Sequence, residues 1–583
     1  MQKEVTAEIA EAQGVVKGLF LGDVRYQELF PFPVIAQAEQ ETLRAILDSI
    51  RKFLAPREDF FRTADVSGTY PDSYIQELRE LGLFALIIPE DHDGLGLSNL
   101  GYARVLEETS MYDPSTSITI GAHSSIGMKG IILFGNSEQK RRYLPKLASG
   151  ELIAAFCLTE PSAGSDAASI RTTAEKLPDG SWKLNGEKIW ISNAPIAGLF
   201  TVFARTDATS GKLSAFIVDR NTPGISVGPK EDKMGIRASA TSSVVFENVI
   251  VPEANLLGEA GKGFKIAMSI LNNGRTGLGG GSVGGMKRVL ELATTYAKER
   301  KQFGRPIVEF GLVREKLARM ALNCYAAESA VGIVGKLIDE KSDDYSLEAA
   351  ASKIFSTEAL WLSVNEGLQI AGGNGFMRDY PYERLLRDSR INMIFEGTNE
   401  ILRLYIALSG YQEVGNVFTE LKSGLGNFLH DPIKGFGVLG SYAARRFSPW
   451  SSIKSERLEL AERILPDETA SLKWLTTQFA RGIEALLRAH GKNIVGKQLL
   501  SKRVADSAID LFVASSMLSR VHSAIEAQGK AQTVAEQLLL KLFLSEAKRR
   551  VSGNLRLLSH NDDALIESIA QNTIEHGYNW DWL

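Results

Sequence analysis

The chain has 583 residues, more than one hydrophobic core usually supports, so several domains are expected. A hydrophobic content of 44% and a charged content of 23% are those of a folded globular protein, and 66 Lys and Arg against 70 Asp and Glu leave no basic surplus for nucleic acid. Two cysteines, Cys157 and Cys324, exclude a disulfide framework and a four-ligand metal site and fit a reducing compartment.

Residues 1–31 read as an N-terminal arm. Its first stretch, Met1 to Glu11, carries early acidic residues and no apolar core, unlike a secretory signal or a transit peptide. Nowhere do about 18 apolar residues run together, which argues against a transmembrane helix and points to a cytoplasmic protein. Residues 32–151 read as a helical domain. Tyr74 to Leu81 has apolar residues at helical spacing with Pro71-Asp72 as its start, and the apolar run Leu83 to Ile88 ends in the glycine-rich Pro89 to Gly96. The rhythm changes over 152–262. Short β-rich runs at Trp182–Trp190, Leu199–Ala204, Ser214–Val218 and Ser243–Glu247, with turn pairs such as Asp179-Gly180 and Asn185-Gly186, predict a small barrel-like β domain. Helical spacing returns over 263–410, in helices long enough for an antiparallel bundle. Residues 411–455 read as a linker. Within it, 434–447 mixes Phe436, Leu439, Tyr442 and Phe447 with Lys434, Arg445 and Arg446, which suits either a bilayer interface or a linker packed on the protein. Residues 456–583 are again helical, so the whole is α+β with an extra C-terminal helical domain.

Five strings carry chemistry. In Phe156-Cys-Leu-Thr-Glu-Pro-Ser-Ala-Gly-Ser165-Asp, the hydroxyls of Thr159 and Ser165 and the amides near Gly164 are donors for a phosphate or a polar ring edge; the plain alternative is a loop between strands. Trp190-Ile-Ser-Asn193 offers an aromatic face beside a hydroxyl, although a strand tryptophan is more often core. Glu299-Arg300-Lys-Gln302-Phe303-Gly304-Arg-Pro306 holds arginines whose planar forks match phosphate oxygens, or is a helix end with solvated cations. Gln369-Ile-Ala-Gly372-Gly373 permits close backbone approach. In Arg390-Ile-Asn-Met-Ile-Phe-Glu396-Gly-Thr-Asn399, Ile394, Phe395 and Gly397 surround one carboxylate with apolar or small groups, and desolvation strengthens such a carboxylate as a base. Its plain alternative is a helix-terminal glutamate helping to cap Thr398-Asn399. His92, His123 and His430 are isolated and read as structural.

Taken together, in this order and from about Pro71 to Ser409, these strings resemble the acyl-CoA dehydrogenases, and the tail resembles their very-long-chain branch. The resemblance implies FAD-dependent α,β-dehydrogenation of long- to very-long-chain acyl-CoA to trans-2-enoyl-CoA in fatty acid β-oxidation. Glu396 is the implied α-proton base, since the position that carries the base in some relatives is Gly274 here. Phe156, Leu158, Thr159, Ser165, Trp190, Ile191, Ser192, Thr398 and Asn399 are implied to bind the flavin. Arg300, Gln302, Phe303, Gln369, Gly372 and Gly373 are implied to reach a partner's FAD in a homodimer. Ser165, Arg275, Phe395, Glu396 and Gly397 are implied to meet substrate, Arg275 at the CoA end. Small residues from Ser125 to Gly130 would leave room for a long acyl chain. Electron-transferring flavoprotein is the implied electron acceptor. The rivals are an acyl-CoA oxidase and a scaffold or assembly protein on this fold.

Overall fold

A computed structural model describes residues 14–207, 211–428, 456–578 and 580. The segment 434–447, weighed above for membrane contact, and the acidic residues up to Glu11 lie outside them. No helix among the described residues is long and apolar enough to cross a membrane. The chain divides into two compact units, 32–401 and a second made of 1–31 together with 402–583.

In the larger unit, the helix expected after Pro71 spans Asp72–Glu80, with Pro71 as its N-cap and Tyr74, Ile75 and Leu78 buried. All six residues from Leu83 to Ile88 are buried. The loop beyond folds back on them, Leu95 and Leu97 donating their amides to the carbonyls of Ala85 and Leu86 at 3.0 and 2.9 Å.

The β domain contains eight strands: β1 Ala154–Cys157, β2 Thr173–Lys176, β3 Trp182–Ser192, β4 Leu199–Arg205, β5 Leu213–Asp219, β6 Ile225–Lys230, β7 Thr241–Val251 and β8 Leu256–Leu257. Their order is β6-β7-β3-β2-β4-β5-β8, with β1 parallel to β4. The end strands β6 and β8 do not pair with each other, so the small β domain is a path of strands and not a hydrogen-bonded cylinder. Trp182, Phe200, Phe216 and Phe246 fill one of its cores. One expected turn is corrected. Asn185-Gly186 lies inside β3 at a register shift against β7. At Gly186, φ is 155° and a Cβ would stand 2.4 Å from Thr172 Oγ1, so the glycine permits a bulge and a close approach within one strand.

The bundle is built from helices Gly263–Glu299, Gly311–Asp339, Ser346–Ala371 and Tyr382–Arg390. A helix of 37 residues interrupted by so many glycines is poor by propensity, each costing roughly 1 kcal/mol against Ala. Packing against helix Asn99–Tyr112 explains several of them. A Cβ at Gly280 would stand 2.4 Å from the Ala103 carbonyl oxygen, and one at Gly284 would stand 2.0 Å from that of Glu107. The two backbones approach closely because these positions lack side chains.

The smaller unit joins the N-terminal arm to the tail helices Pro466–His490, Gln498–Gln528, Val534–Arg556 and Asp563–His576. Phe20 packs edge-on to Phe479 at 5.1 Å between ring centres, and Ser519 donates to the Leu29 carbonyl at 2.7 Å. Phe20 and Leu29 of the arm are therefore core material of this unit, which the sequence did not announce.

Substituting Gly284→Ala is expected to destabilise the protein by about 1–3 kcal/mol, because the added methyl meets backbone and not a movable side-chain end. Thermal unfolding against a control Gly304→Ala, which meets nothing within 4 Å but carries a positive φ of 80°, checks this.

Candidate active site

Glu396 sits in the turn between the short Ile391–Met393 helix and the helix Asn399–Phe428. Its φ is 56° and that of Gly397 is 92°, two consecutive left-handed residues. For a glutamate this conformation costs about 1–2 kcal/mol, so the surroundings must hold it. The carboxylate rests against the bare face of the long glycine-rich helix. A Cβ added at Gly274 would stand 3.4 and 3.5 Å from the two carboxylate oxygens and 3.0 Å from Ile126 Cγ2. Glu396 Oε2 is buried without a hydrogen-bond partner among the described residues, and the Glu396 amide donates to no acceptor among them either. Burial pushes the Glu396 carboxyl up to about 7, against the pull of Arg275 and then Lys353. The site thus presents a poised carboxylate beside an open backbone donor.

Two buried cations hold the turn by its backbone. Arg275 donates from Nε and Nη2 to the Glu396 carbonyl at 3.3 and 3.2 Å, and from Nη1 to Asn272 Oδ1 at 2.6 Å. It was expected at the CoA end of the substrate. Its guanidinium is buried and faces the Glu396 turn. Lys353, which sequence reading did not single out, donates to the Gly397 carbonyl at 2.9 Å and to Asn399 Oδ1 at 2.8 Å. Asn399 in turn donates to Thr357 Oγ1 and Glu358 Oε1, each at 3.1 Å. Its amide is buried and bound by the bundle, so Asn399, expected at the cofactor, helps to mount the turn. Thr398 caps the next helix, its Oγ1 accepting the Ile401 amide at 3.3 Å. The signal for Lys353 was available: one lysine in the alanine- and serine-rich run 349–357 on a buried helix.

Across from the turn, Tyr102 and Ser125 share a buried hydroxyl hydrogen bond of 2.6 Å. In the run from Ser125 to Gly130, expected to leave room for a long acyl chain, the two glycines face close neighbours. A Cβ at Gly127 would meet the Ala122 carbonyl at 2.7 Å and the Ala154 backbone at 2.8 Å, and one at Gly130 would meet Ile270 and Leu257 at 2.9 Å. These glycines admit neighbours of the protein itself.

The β-domain strings are brought together by one buried ion pair. Lys188 on β3 meets Glu160 at 2.7 Å and donates to the Leu158 carbonyl at 3.1 Å, while Glu160 accepts the Thr172 amide at 2.9 Å. This pins the Phe156–Asp166 loop to β3, and the Ile189 amide adds a bond to the Thr159 carbonyl at 3.0 Å. Trp190 is not core. A second register shift in β3, together with its φ of 56°, turns the indole out to 65% exposure. Phe156, Thr159 and Ser192 are half-buried and Ser165 is exposed, whereas the side chains of Leu158 and Ile191 point into the cores and leave only their backbone for a ligand. On the bundle, Arg300, Gln302 and Phe303 form an exposed hairpin whose tip, Phe303, is 94% exposed, and Gln369, Gly372 and Gly373 are exposed too. No hydrogen bond or ion pair among the described residues joins this second group to the Glu396 turn or to the Phe156–Asp166 loop.

Known proteins share this architecture. Residues 40–151, 155–249 and 261–410 match the N-terminal, middle and C-terminal domains of acyl-CoA dehydrogenase, and 464–578 match the ACAD9/ACADV C-terminal domain. The chain belongs to the acyl-CoA dehydrogenase family. It is similar to the very long-chain specific, mitochondrial acyl-CoA dehydrogenase of Macaca fascicularis, at 42% identity over 97% of this chain and 88% of that one. An acyl-CoA dehydrogenase from Bacillus anthracis, solved in complex with FAD, superposes with a TM-score of 0.79 at 32% identity, covering 98% of this chain and 96% of its own. Butyryl-CoA dehydrogenase from Megasphaera elsdenii, at 37% identity and a TM-score of 0.62, covers 65% of this chain with 99% of its own.

The carboxyl of Glu396 is expected to titrate near neutrality. Burial raises Asp388 to about 7 as well, so infrared difference spectra from about pH 5 to about pH 9 are expected to show carboxyl absorbance lost with a midpoint near 7 in the wild type, reduced but not abolished in Glu396→Gln.

Proposed function

We propose that this enzyme oxidises long- to very-long-chain acyl-CoA to the trans-2-enoyl-CoA with FAD as cofactor, Glu396 acting as the α-proton base. The observation that carries the reading is the buried Oε2 of Glu396, which has no hydrogen-bond partner among the described residues and faces Gly274. A structural glutamate capping a helix would direct its carboxylate at amides; here Thr398 does the capping.

The protein's own groups act as follows. The Glu396 amide, without an acceptor among the described residues, would donate to the substrate thioester oxygen and so acidify the α-carbon. Glu396 takes the α-proton on a carboxylate made more basic by burial. As the α C–H electrons become the new double bond, the β-carbon gives up its hydrogen with its electron pair. FAD, when bound, supplies the acceptor for that hydride. The residues present fit such a group. Trp190 offers an exposed indole face, Thr159 and Ser192 offer hydroxyls, and Cβ atoms at Gly164, Gly372 and Gly373 would meet nothing within 4 Å. We place Phe156, Leu158, Thr159, Ser165, Trp190, Ile191, Ser192 and Thr398 around it, Leu158 and Ile191 through their backbone. Phe395 and Gly397 line the substrate side.

Arg300, Gln302, Phe303, Gln369, Gly372 and Gly373 would complete the cofactor site of a second copy. Exposed Phe303, Leu312, Leu362, Phe376 and Met377 on the same bundle make an apolar surface that a homodimer would cover. The preference for long acyl groups rests on similarity to the very-long-chain members. Electron-transferring flavoprotein is the proposed acceptor of the electrons.

Glu396→Gln is expected to keep FAD and acyl-CoA binding while turnover falls about 10³-fold or more, the loss lying in the chemical step. Stopped-flow bleaching of the flavin by substrate reads that step, and near-normal bleaching would remove Glu396 as the base. In wild type kcat/KM is expected to rise with pH through about 7, because only the ionised carboxylate accepts the proton. Arg300→Ala is expected to weaken FAD retention on gel filtration, whereas monomers holding FAD as tightly as wild type would contradict a site shared by two copies.

A further inference from the structure

We propose that Lys353 is a positioning residue for the Glu396 base, pinning the turn that presents the carboxylate and supplying part of the positive field that keeps it ionised. This rests on the reading of Glu396 as the base. Lys353 has no exposed surface, and every residue from Leu347 to Ile354 on its helix is buried with it. A methionine of similar length would fill that space without desolvating an ammonium, which costs several kcal/mol. The amine therefore answers to specific partners. Those partners are the Gly397 carbonyl and Asn399 Oδ1, at 2.9 and 2.8 Å, on either side of Thr398. Among the described residues no carboxylate lies within ion-pair distance of it. The two oxygens fix the chain immediately after Glu396, where φ is left-handed at both 396 and 397. Arg275 grips the preceding carbonyl from the other side.

The charged and titratable groups facing this pair come from four elements. Arg275 comes from the long helix, Lys353 and Glu358 from the Ser346–Ala371 helix, Glu400 from the following helix, and Tyr102 from the Asn99–Tyr112 helix. Burial pushes Lys353 down to about 7, Glu396 opposing that shift most strongly among its neighbours and Arg275 adding to it. Charge on Lys353 and charge on Glu396 thus support each other. Removing the ammonium takes away a stabilising neighbour of the carboxylate, so the base titrates at higher pH. At alkaline pH Lys353 is itself neutral in the wild type, and the difference disappears.

The test uses the flavin-loaded full chain with Lys353→Arg, Lys353→Gln and Lys353→Met, and Glu396→Gln in parallel. The pH profile of kcat/KM, with an artificial electron acceptor, is measured beside flavin content and melting temperature. Lys353→Arg is expected to keep the acidic limb where the wild type has it. Lys353→Gln, which retains a donor without charge, and Lys353→Met are expected to move that limb up by about one pH unit, giving roughly tenfold lower rates below it and converging with wild type at high pH. A rate lowered by the same factor at every pH would leave Lys353 a structural residue and overturn the proposal, as would an unmoved limb. Failure of both neutral variants to fold while Lys353→Arg folds would overturn it too, assigning the lysine to folding. Retained turnover in Glu396→Gln would instead bring down the reading of the base, whatever the lysine variants do.

Discussion

A carboxylate removed from water is the constraint on which the larger unit depends. Burial makes Glu396 a stronger base, but it also favours the protonated form, which accepts nothing. The structure balances these demands with two cations that do not pair with the carboxylate directly. Arg275 and Lys353 bind backbone and amide oxygens of the turn, so their charge is close while the carboxylate oxygens stay available. A direct salt bridge would lower the basicity further and tie up the very atoms that have to meet substrate.

That arrangement needs room, and the room is made by a missing side chain. Gly274 lies under the carboxylate, and Gly277, Gly280 and Gly284 bring the same helix against Asn99–Tyr112. One glycine-rich helix therefore does two jobs at once. It lets two backbones pack at close range, and it leaves a space beneath the base that even an alanine would narrow. The weak intrinsic propensity of such a helix is offset by the surface it buries, with twenty of its residues out of solvent.

The β domain solves a different problem, that of exposing an aromatic ring from a strand whose neighbours are core. Ile191 is buried and Trp190 is not. The register shift and the left-handed residue at Trp190 break the alternation that would otherwise orient the indole by its place in the strand. The Lys188–Glu160 pair then ties the adjacent loop to the same strand. A buried pair of this kind adds little net stability, and its value lies in orientation.

Much of this was legible in the chain. The change from helical to alternating spacing marked the β domain, and the apolar setting of Glu396 beside a glycine marked it as a candidate base, because both depend on neighbours in sequence. Gly274 could be excluded as a base from its identity alone. What the sequence could not show depends on groups brought together from afar. Asn185-Gly186 has the local chemistry of a turn, yet Thr172 packs against it and makes it a bulge. Arg275 reaches the Glu396 carbonyl, 121 residues further along, which no local pattern shows. Nothing in the sequence pairs Lys353 with Asn399, 46 residues further along, and the N-terminal arm gives no sign that Phe20 belongs beside Phe479. Local composition determined which segments fold as helix or strand and which residue types could do the chemistry. Only tertiary packing decided which cations face which oxygens, because burial and hydrogen bonding are settled by the chain's distant parts.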